Sequence, residues 1–487
     1  MSKLTPPDQG PIVYGYDAAQ RLRSITNGAG EKIVYRLDGL GNRTKEETFE
    51  AGAVTASSTL NRRFDTLGRL WKRLTAANQE MEVLTYDLQG NLKTHTAKPD
   101  NDPANDQYTA MTLYAARNRL RAVTDASGGV TQLAYDGLDH LTQVEDPRLN
   151  ATTYSISGLD NQSQEISPDR GILKNTSFDR AGNVTAALDA RGNSTQYRYD
   201  ALNRRLSESF ADGTSVAYEY ESGTGAVGRI DRIDDATGHT VYHYDVEGRL
   251  SRKEQTTGTL QRAIEYRYEA VTGRLEGLTY PSGASISYGY DNAGRIQSLT
   301  LTTETLPATA IVSEVTYQPL GSARSYQLPA VAGAPIITRG YDNDGRADSY
   351  TLVESIGGVP TLGTRTLHYD RLGNVTSVAD AGTSANDQTY GYDPLNRLTD
   401  LSAPGLVQQY EYDAAGNRTL RSVNGVTTRY TPEPTSNRLA AVGAITSSFK
   451  VFTISCNLSI LLRFLGGLER SCLATSCRSS WRRARRR

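Results

Sequence analysis

The sequence predicts an all-β protein built of tandem hairpins paired edge to edge into one continuous sheet strip. Three observations carry this reading. A short unit, Y-D-x-x-G-[RN]-[LIV], recurs along most of the chain. Tyrosine stands at 29 residues against 7 Phe and 2 Trp, an excess that a generic oily core would not produce but a residue written into every repeat would. Unit starts at 178, 199, 220, 244, 268 and 290 lie 21, 21, 24, 24 and 22 residues apart. Hairpins with variable loops tolerate such jitter, and a strict helical repeat does not.

Clear copies of the unit are Tyr16–Leu22, Phe64–Leu70, Tyr86–Leu92, Phe178–Val184, Tyr244–Leu250, Tyr290–Ile296, Tyr369–Val375, Tyr392–Leu398 and Tyr412–Arg418. Weaker ones are Leu37–Arg43, Tyr114–Leu120, Tyr135–Leu141, Tyr199–Arg205 and Tyr341–Ala347, with stretched forms at Tyr220–Ile230 and Tyr268–Leu275. Degenerate units are expected near Gly158–Gln164, Tyr317–Ala323 and Tyr430–Leu439.

Each part of the unit has a physical reason. Eight copies carry a Tyr-x-Tyr pair, such as Tyr197 and Tyr199, and residues i and i+2 of a strand share a face. Thr195–Tyr199 therefore reads as a strand with both rings on one side and Arg198 on the other. The acid that follows, Asp200, begins the turn, because its side chain accepts from backbone N–H groups just ahead. Gly248, Gly294, Gly373 and Gly416 supply positive φ, and Asn118, Asn203 and Asn396 replace Gly elsewhere. Leu250, Ile296, Val375 and Leu398 start the return strand. Second turns such as Asp189–Gly192 and Asp212-Gly213 lead to the next unit. One hairpin is marginal alone, but a row of them covers its own edges. Tyrosine suits such a thin wall, since its ring packs on the sheet while its hydroxyl reaches water or a polar neighbour.

The totals agree. The chain has 487 residues, 22% charged and 37% apolar, which fits a thin sheet better than a deep core. Its three cysteines exclude a disulfide scaffold. The formal charge of −1 gives no global pull toward nucleic acid or membrane. No signal peptide is visible, and the pattern has begun by Tyr14-Gly15-Tyr16-Asp17.

This many units, with Tyr-x-Tyr before the acid, closely resembles the Rhs/YD-repeat proteins. That family includes bacterial polymorphic-toxin shells, wall-associated repeat proteins and the teneurin shell. The resemblance runs from about residue 14 to about residue 440. It implies a strip that spirals into a hollow shell, here incomplete. It implies a non-enzymatic scaffold of the kind that encloses a C-terminal toxin used in competition between bacteria. The partners it implies are a toxin cargo or a secretion apparatus, with secretion or surface display following synthesis in the cytoplasm. The family's DP-x-G-type cleavage motif is not matched at Asp102-Pro103, Asp146-Pro147 or Asp393-Pro394. The chain is therefore expected to lack the cleavage segment and toxin and to be truncated or frameshifted. The other reading is a surface adhesin whose tyrosine-rich wall binds cell-surface carbohydrate.

The division expected is a repeat region, residues 1–446, and an aberrant tail, residues 447–487. The tail holds all three cysteines (Cys456, Cys472, Cys477) and no Tyr, Asp, Pro or His. Lys450 and eight arginines against Glu469 give it +8, leaving −9 on the array. A shifted reading frame is the leading explanation. The alternatives are a membrane-associating segment at Val451–Leu468, too short and interrupted to span, and a basic extension from Arg478 to Arg487. No nucleic-acid partner and no membrane span is expected.

No catalytic, cofactor or metal site is expected. Gly223–Gly228 matches the letters of a dinucleotide fingerprint, but Arg229–Asp234 alternates like a strand where a helix is required. His239 and His243, four apart on a strand, would sit ~13 Å from one another, too far to share an ion. His95, His140 and His368 stand alone, and His140 is expected to face solvent. The acidic stretch Asp100–Asp106 is expected to be a solvated loop rather than a calcium site. The recurrent Asp and Arg are expected to cap turns and form ladder ion pairs, because an enzyme needs one special constellation rather than the same one in every unit.

Overall fold

In the computed structural model, residues 2–7, 9–114, 117–221, 223–356 and 359–443 are described. The tail, residues 447–487, lies outside the described residues, and so do the readings attached to it.

The described chain forms 39 strands and no α-helix; the only helical turns are short 3-10 segments at Pro103–Asn105 and Ser384–Asn386. Every strand pairs antiparallel with the strand before and after it in sequence, from Lys3–Leu4 with Ile12–Tyr16 to Val426–Pro432 with Leu439–Val442. The sheet is thus one uninterrupted meander. The three degenerate units form hairpins as expected, at Ala151–Ile156/Gln162–Ser167, Thr309–Tyr317/Ala323–Gln327 and Val426–Pro432/Leu439–Val442.

The strip has two unlike edges. Turns that begin with the recurrent acid of each unit lie on one, the aspartate edge. Turns leading from one unit to the next lie on the other, the return edge. At the aspartate edge the ladder slips by one residue in unit after unit. Gly15 faces Ser24 but Tyr16 faces Leu22, and Arg198 faces Ser207 but Tyr199 faces Arg205. The return strand thus carries an extra residue (Arg23, Leu206), a β-bulge. A bulge bends its strand and increases the local twist. Repeated at nearly every hairpin of this edge and at few of the other, as at Leu74 and Thr300, it coils the strip in one sense.

Successive coils of the open strip meet edge to edge. The aspartate-edge turn at 291–295 stacks on the return-edge turn at 27–31, twenty-three strands earlier: Arg295 Nη1 donates to both carboxylate oxygens of Glu31 at 2.9 Å. An offset of 23 or 25 strands recurs along the strip. Thr59 N donates to Asn343 O at 2.8 Å, Arg371 N to Pro99 O at 3.0 Å, and Gln107 Nε2 to Asn396 Oδ1 at 3.0 Å. With strands ~4.8 Å apart, a turn of roughly 24 strands has a circumference of ~115 Å and a diameter of ~37 Å. A wall one sheet thick then leaves a lumen roughly 25 Å wide.

Nothing fills a conventional core. The buried apolar side chains among the described residues are Tyr35, Leu74, Leu420 and four alanines. Alternation along strands is nevertheless clear: Tyr197 and Tyr199 are half-buried while Arg198 is exposed.

Candidate functional site

The recurring chemistry sits at the aspartate edge. In the first unit Asp17 Oδ1 accepts from Ala19 N at 2.9 Å and Arg21 N at 3.0 Å, while Oδ2 accepts from Arg21 Nε at 2.8 Å. The same triple contact recurs at Asp65, Asp200 and Asp245. Where Asn replaces Arg, as at Asn42, its side-chain amide takes the guanidinium's place on Asp38. The backbone donor at Arg21 leads in holding the Asp17 carboxyl below the usual carboxylate range, and the Asn42 amide leads at Asp38. Positive φ falls on Gly248, Gly294, Gly373 and Gly416, and on Asn118, Asn203 and Asn396.

The tyrosine has a use that the sequence pattern alone does not reveal. Its hydroxyl donates to the backbone carbonyl of the residue that opens the return strand in the preceding unit. Tyr244 reaches Ile230 O at 2.7 Å, Tyr268 reaches Leu250 O at 3.0 Å, and Tyr290 reaches Leu275 O at 2.7 Å. Tyr317, Tyr369, Tyr392 and Tyr412 repeat the bond. Phenylalanine cannot make it. The turn arginine of the preceding unit lies over the same ring, as Arg249 does over Tyr268 at 4.5 Å and Arg295 over Tyr317 at 4.4 Å. Its second nitrogen often donates to the next unit's turn carbonyl, as Arg346 Nη1 does to Asp370 O at 2.8 Å. Burial pushes the hydroxyls of Tyr290, Tyr317 and Tyr369 up from the ordinary phenol value. Asp, Arg and Tyr are thus one relay that ties each hairpin to the next.

The seam between successive coils is polar. Arg148 donates to Ser436 O at 2.7 Å, Glu433 O at 2.8 Å and Asn437 Oδ1 at 3.0 Å, and its Nε lies 3.4 Å from Asp413. Asn437 N donates to Asp169 Oδ1, and its side-chain amide to Asp146 Oδ2 at 2.7 Å. Ser436, in this cluster, is 2% exposed.

The residues singled out from sequence fall as follows. Gly223–Gly228 is a long aspartate-edge turn followed by the strand Ile230–Asp235, and Gly228 N donates to Glu221 Oε1 at 2.9 Å. No helix N-terminus stands there for a pyrophosphate. His239 and His243 lie on the strand Gly238–Tyr244, and His243 faces Glu254 at 3.7 Å. His95 lies 3.8 Å from Glu82, and His368 pairs with Ser377 in the ladder. Among the described residues no three His, Cys, Asp or Glu groups gather as metal ligands.

One expectation is corrected. His140 does not face solvent. It fills the turn-arginine place, with Nδ1 2.8 Å from Asp136 and Nε2 3.2 Å from Asp160, and the Asp136 contact raises its pKa. The position four residues after the acid is the signal that would have found it. The acidic stretch Asp100–Asp106 is exposed from residue 100 to residue 105, and it also takes part in a contact between coils. Arg371 Nη1 donates to Asp100 O at 2.6 Å and its other terminal nitrogen to Asn101, which makes this stretch part of the seam. Beside it lies a cavity of about 690 Å³ whose wall includes Tyr369, Tyr390 and Tyr392.

Comparison with known proteins agrees with this architecture. The family model described as RHS Repeat matches residues 16–54, 114–151, 178–215, 369–405 and 392–427. A relative from Dickeya dadantii (strain 3937), called probable deoxyribonuclease RhsA, is 26% identical over 190 residues, covering 39% of this chain and 13% of its own. A solved structure of TcdB2-TccC3 without hypervariable C-terminal region superposes with a TM-score of 0.73 at 18% identity, covering 88% of this chain and 26% of that one. A second TcdB2-TccC3 structure gives 0.61 at 15% identity and covers 90% of this chain. The chain thus spans an eighth to a third of the length of these proteins.

Proposed function

We propose that this chain, a carrier of RHS repeats with the shell-type fold, is a non-catalytic wall segment that encloses polypeptide cargo, residues 1–446 forming the wall. The observation that carries this reading is the seam. Polar contacts stitch one coil to the next from residue 31 to residue 169, which turns an open ribbon into the side wall of a chamber. The recurrence of the same Asp-Arg-Tyr relay in unit after unit supports a mechanical role, since a relay that every unit repeats offers no unique reacting centre.

The estimated lumen of roughly 25 Å limits the cargo. A folded domain of 100 residues has a radius of gyration of ≈ 13 Å and exceeds that width. An extended chain, or a helix of ≈ 10–12 Å diameter, fits. The cargo is therefore held without its tertiary fold. By likeness to relatives named for a deoxyribonuclease and for TcdB2-TccC3, that cargo is a toxin used against other cells, and the wall is exported with it.

The test replaces residues 447–487 with an unfolded reporter bearing one thrombin site. Enclosure predicts cleavage slower than in the free reporter by on the order of tenfold or more, about 1.4 kcal/mol of restricted access. Equal rates overturn the reading.

The seam cavity favours a second reading, a surface adhesin. Three tyrosines and several hydrogen-bonding groups line about 690 Å³ open to solvent, a chemistry that suits a sugar. A glycan array that shows binding abolished by Tyr390→Ala supports it; no binding on the array removes it.

A further inference from the structure

The seam occupies only part of each edge. Return-edge turns from residue 27 to residue 171 meet aspartate-edge turns from 291 to 437. Among the described residues, no coil lies above the aspartate-edge turns of the earlier coil or below the return-edge turns of the later one. Each uncovered edge runs about one full circuit.

The uncovered aspartate edge is apolar in a regular way. Leu40, Leu67, Leu88, Leu138, Leu159 and Leu202 stand at its turns, between 68% and 101% exposed. In the later coil, where the same edge is seated on a return edge, Leu372 and Leu395 hold equivalent places and are half-buried. Leu320 is 41% exposed, with its N–H bound to Glu31. The chain itself therefore shows what covers this row: a return edge of its own kind. Ion pairs cross the seam in both senses, from Glu31 and Glu50 of the return edge to Arg295 and Arg324 of the aspartate edge, and from Arg148 of the return edge to Asp413 of the aspartate edge. The uncovered return edge presents exposed Asp212, Asp235 and Glu304, and the uncovered aspartate edge presents exposed Arg180 and Asp160.

A second copy placed one coil further along the axis brings its uncovered aspartate edge onto this chain's uncovered return edge. We propose that the chain stacks head to tail through these edges into an open tube, with each junction repeating the seam. The contact is heterologous, so nothing in it limits growth to a dimer.

Sedimentation velocity of the full chain tests this, with wild type compared against L67D/L138D/L202D. These three residues are exposed, so the substitutions leave the hairpins intact, which the circular dichroism signal verifies. Wild type is expected to rise above the 53.1 kDa monomer with concentration. The variant is expected to need at least tenfold more protein to do so. Because its return edge is unaltered, the variant is also expected to cap wild-type assemblies and shorten them. D212R/D235R/E304R, which alters the opposite edge, is expected to show the same loss. A wild type that stays monomeric, or variants that associate as wild type does (association through residues 447–487, for instance), overturns the proposal.

Discussion

Replacing Tyr268 and Tyr290 by phenylalanine isolates the hydroxyl from the ring. Tyr268 donates to Leu250 O at 3.0 Å and Tyr290 to Leu275 O at 2.7 Å. The arginines over the rings, Arg249 and Arg274, keep an aromatic face beneath them in the variants. What is lost is one hydrogen bond per site, and the acceptor is a carbonyl at a bulge, where the ladder offers no replacement. A net loss of about 0.5–1.5 kcal/mol per site follows, or about 1–3 kcal/mol for the pair. Repeat arrays open locally, so a global melting curve dilutes such an effect. Hydrogen exchange resolved by segment is the appropriate assay. Amides in 250–257 and 275–279 are expected to exchange faster by roughly five- to a hundredfold in the double variant, with segments beyond residue 400 unchanged. The converse holds at Phe64, which occupies the tyrosine place naturally. Phe64→Tyr supplies a donor for the carbonyl of Arg43 and is expected to slow exchange there. Unchanged exchange in both variants would refute the relay.

Other expectations follow from the same geometry. Arg148→Ala removes charge-assisted bonds to Ser436, Glu433 and Asn437, at a cost of about 2–3 kcal/mol. It should raise exchange in 146–150 and 433–437 together; a change in one segment alone would contradict a seam. Gly225 has φ +68°, and a Cβ there would lie 1.9 Å from Asp245 O, whereas Gly405, at φ +74°, has open space. Gly225→Ala should therefore destabilise its hairpin by several times the ~1 kcal/mol expected of Gly405→Ala, read by proteolysis at the two sites. Tyr290, Tyr317 and Tyr369 have raised folded pKa values, so their stabilisation is present below the unfolded value of about 10 and is lost as pH rises through the folded one. Tyrosinate absorbance should show a late class that ionises together with loss of the β signal; a single wave near pH 10 with the fold intact would count against it. Asp17, Asp65 and Asp200 are depressed, each chiefly by the backbone donor four residues on. Their contribution is present above the unfolded value of about 3.9 and fades as pH falls through the folded one, so the circular dichroism signal should decay only below about pH 4.

What was legible in the sequence is what is local. Asp200, Asn203 and the alternation of Tyr197, Arg198 and Tyr199 announce a strand and its turn within a few residues, and the structure places them so. The tyrosine's acceptor lies one unit back, 14 residues from Tyr244 to Ile230 and 18 from Tyr268 to Leu250, and no spacing rule within a single unit points to it. The excess of Tyr over Phe was its trace. His140 looks solitary until it is counted from Asp136, four residues back, which gives it the turn-arginine place. The seam was illegible for a different reason. Glu31 and Arg295 are 264 residues apart, and their meeting depends on curvature accumulated over twenty-three strands. The Asp100–Asp106 stretch, composed like a solvated loop, gives no local sign that Arg371 will settle on it.

The central claim is the coiling itself, and one distance tests it. Spin labels at Ala51→Cys and Ser322→Cys, in a chain with Cys456, Cys472 and Cys477 changed to serine, report on two turns that the seam brings together beside the Glu50–Arg324 ion pair. A coiled strip predicts a single short distance, within about two to four strand spacings of ~4.8 Å plus the label arms. An uncoiled ribbon places the same turns twenty-three strands apart, roughly 110 Å, beyond the range of the measurement. A sharp short distance is the predicted result, and its absence would contradict the shell.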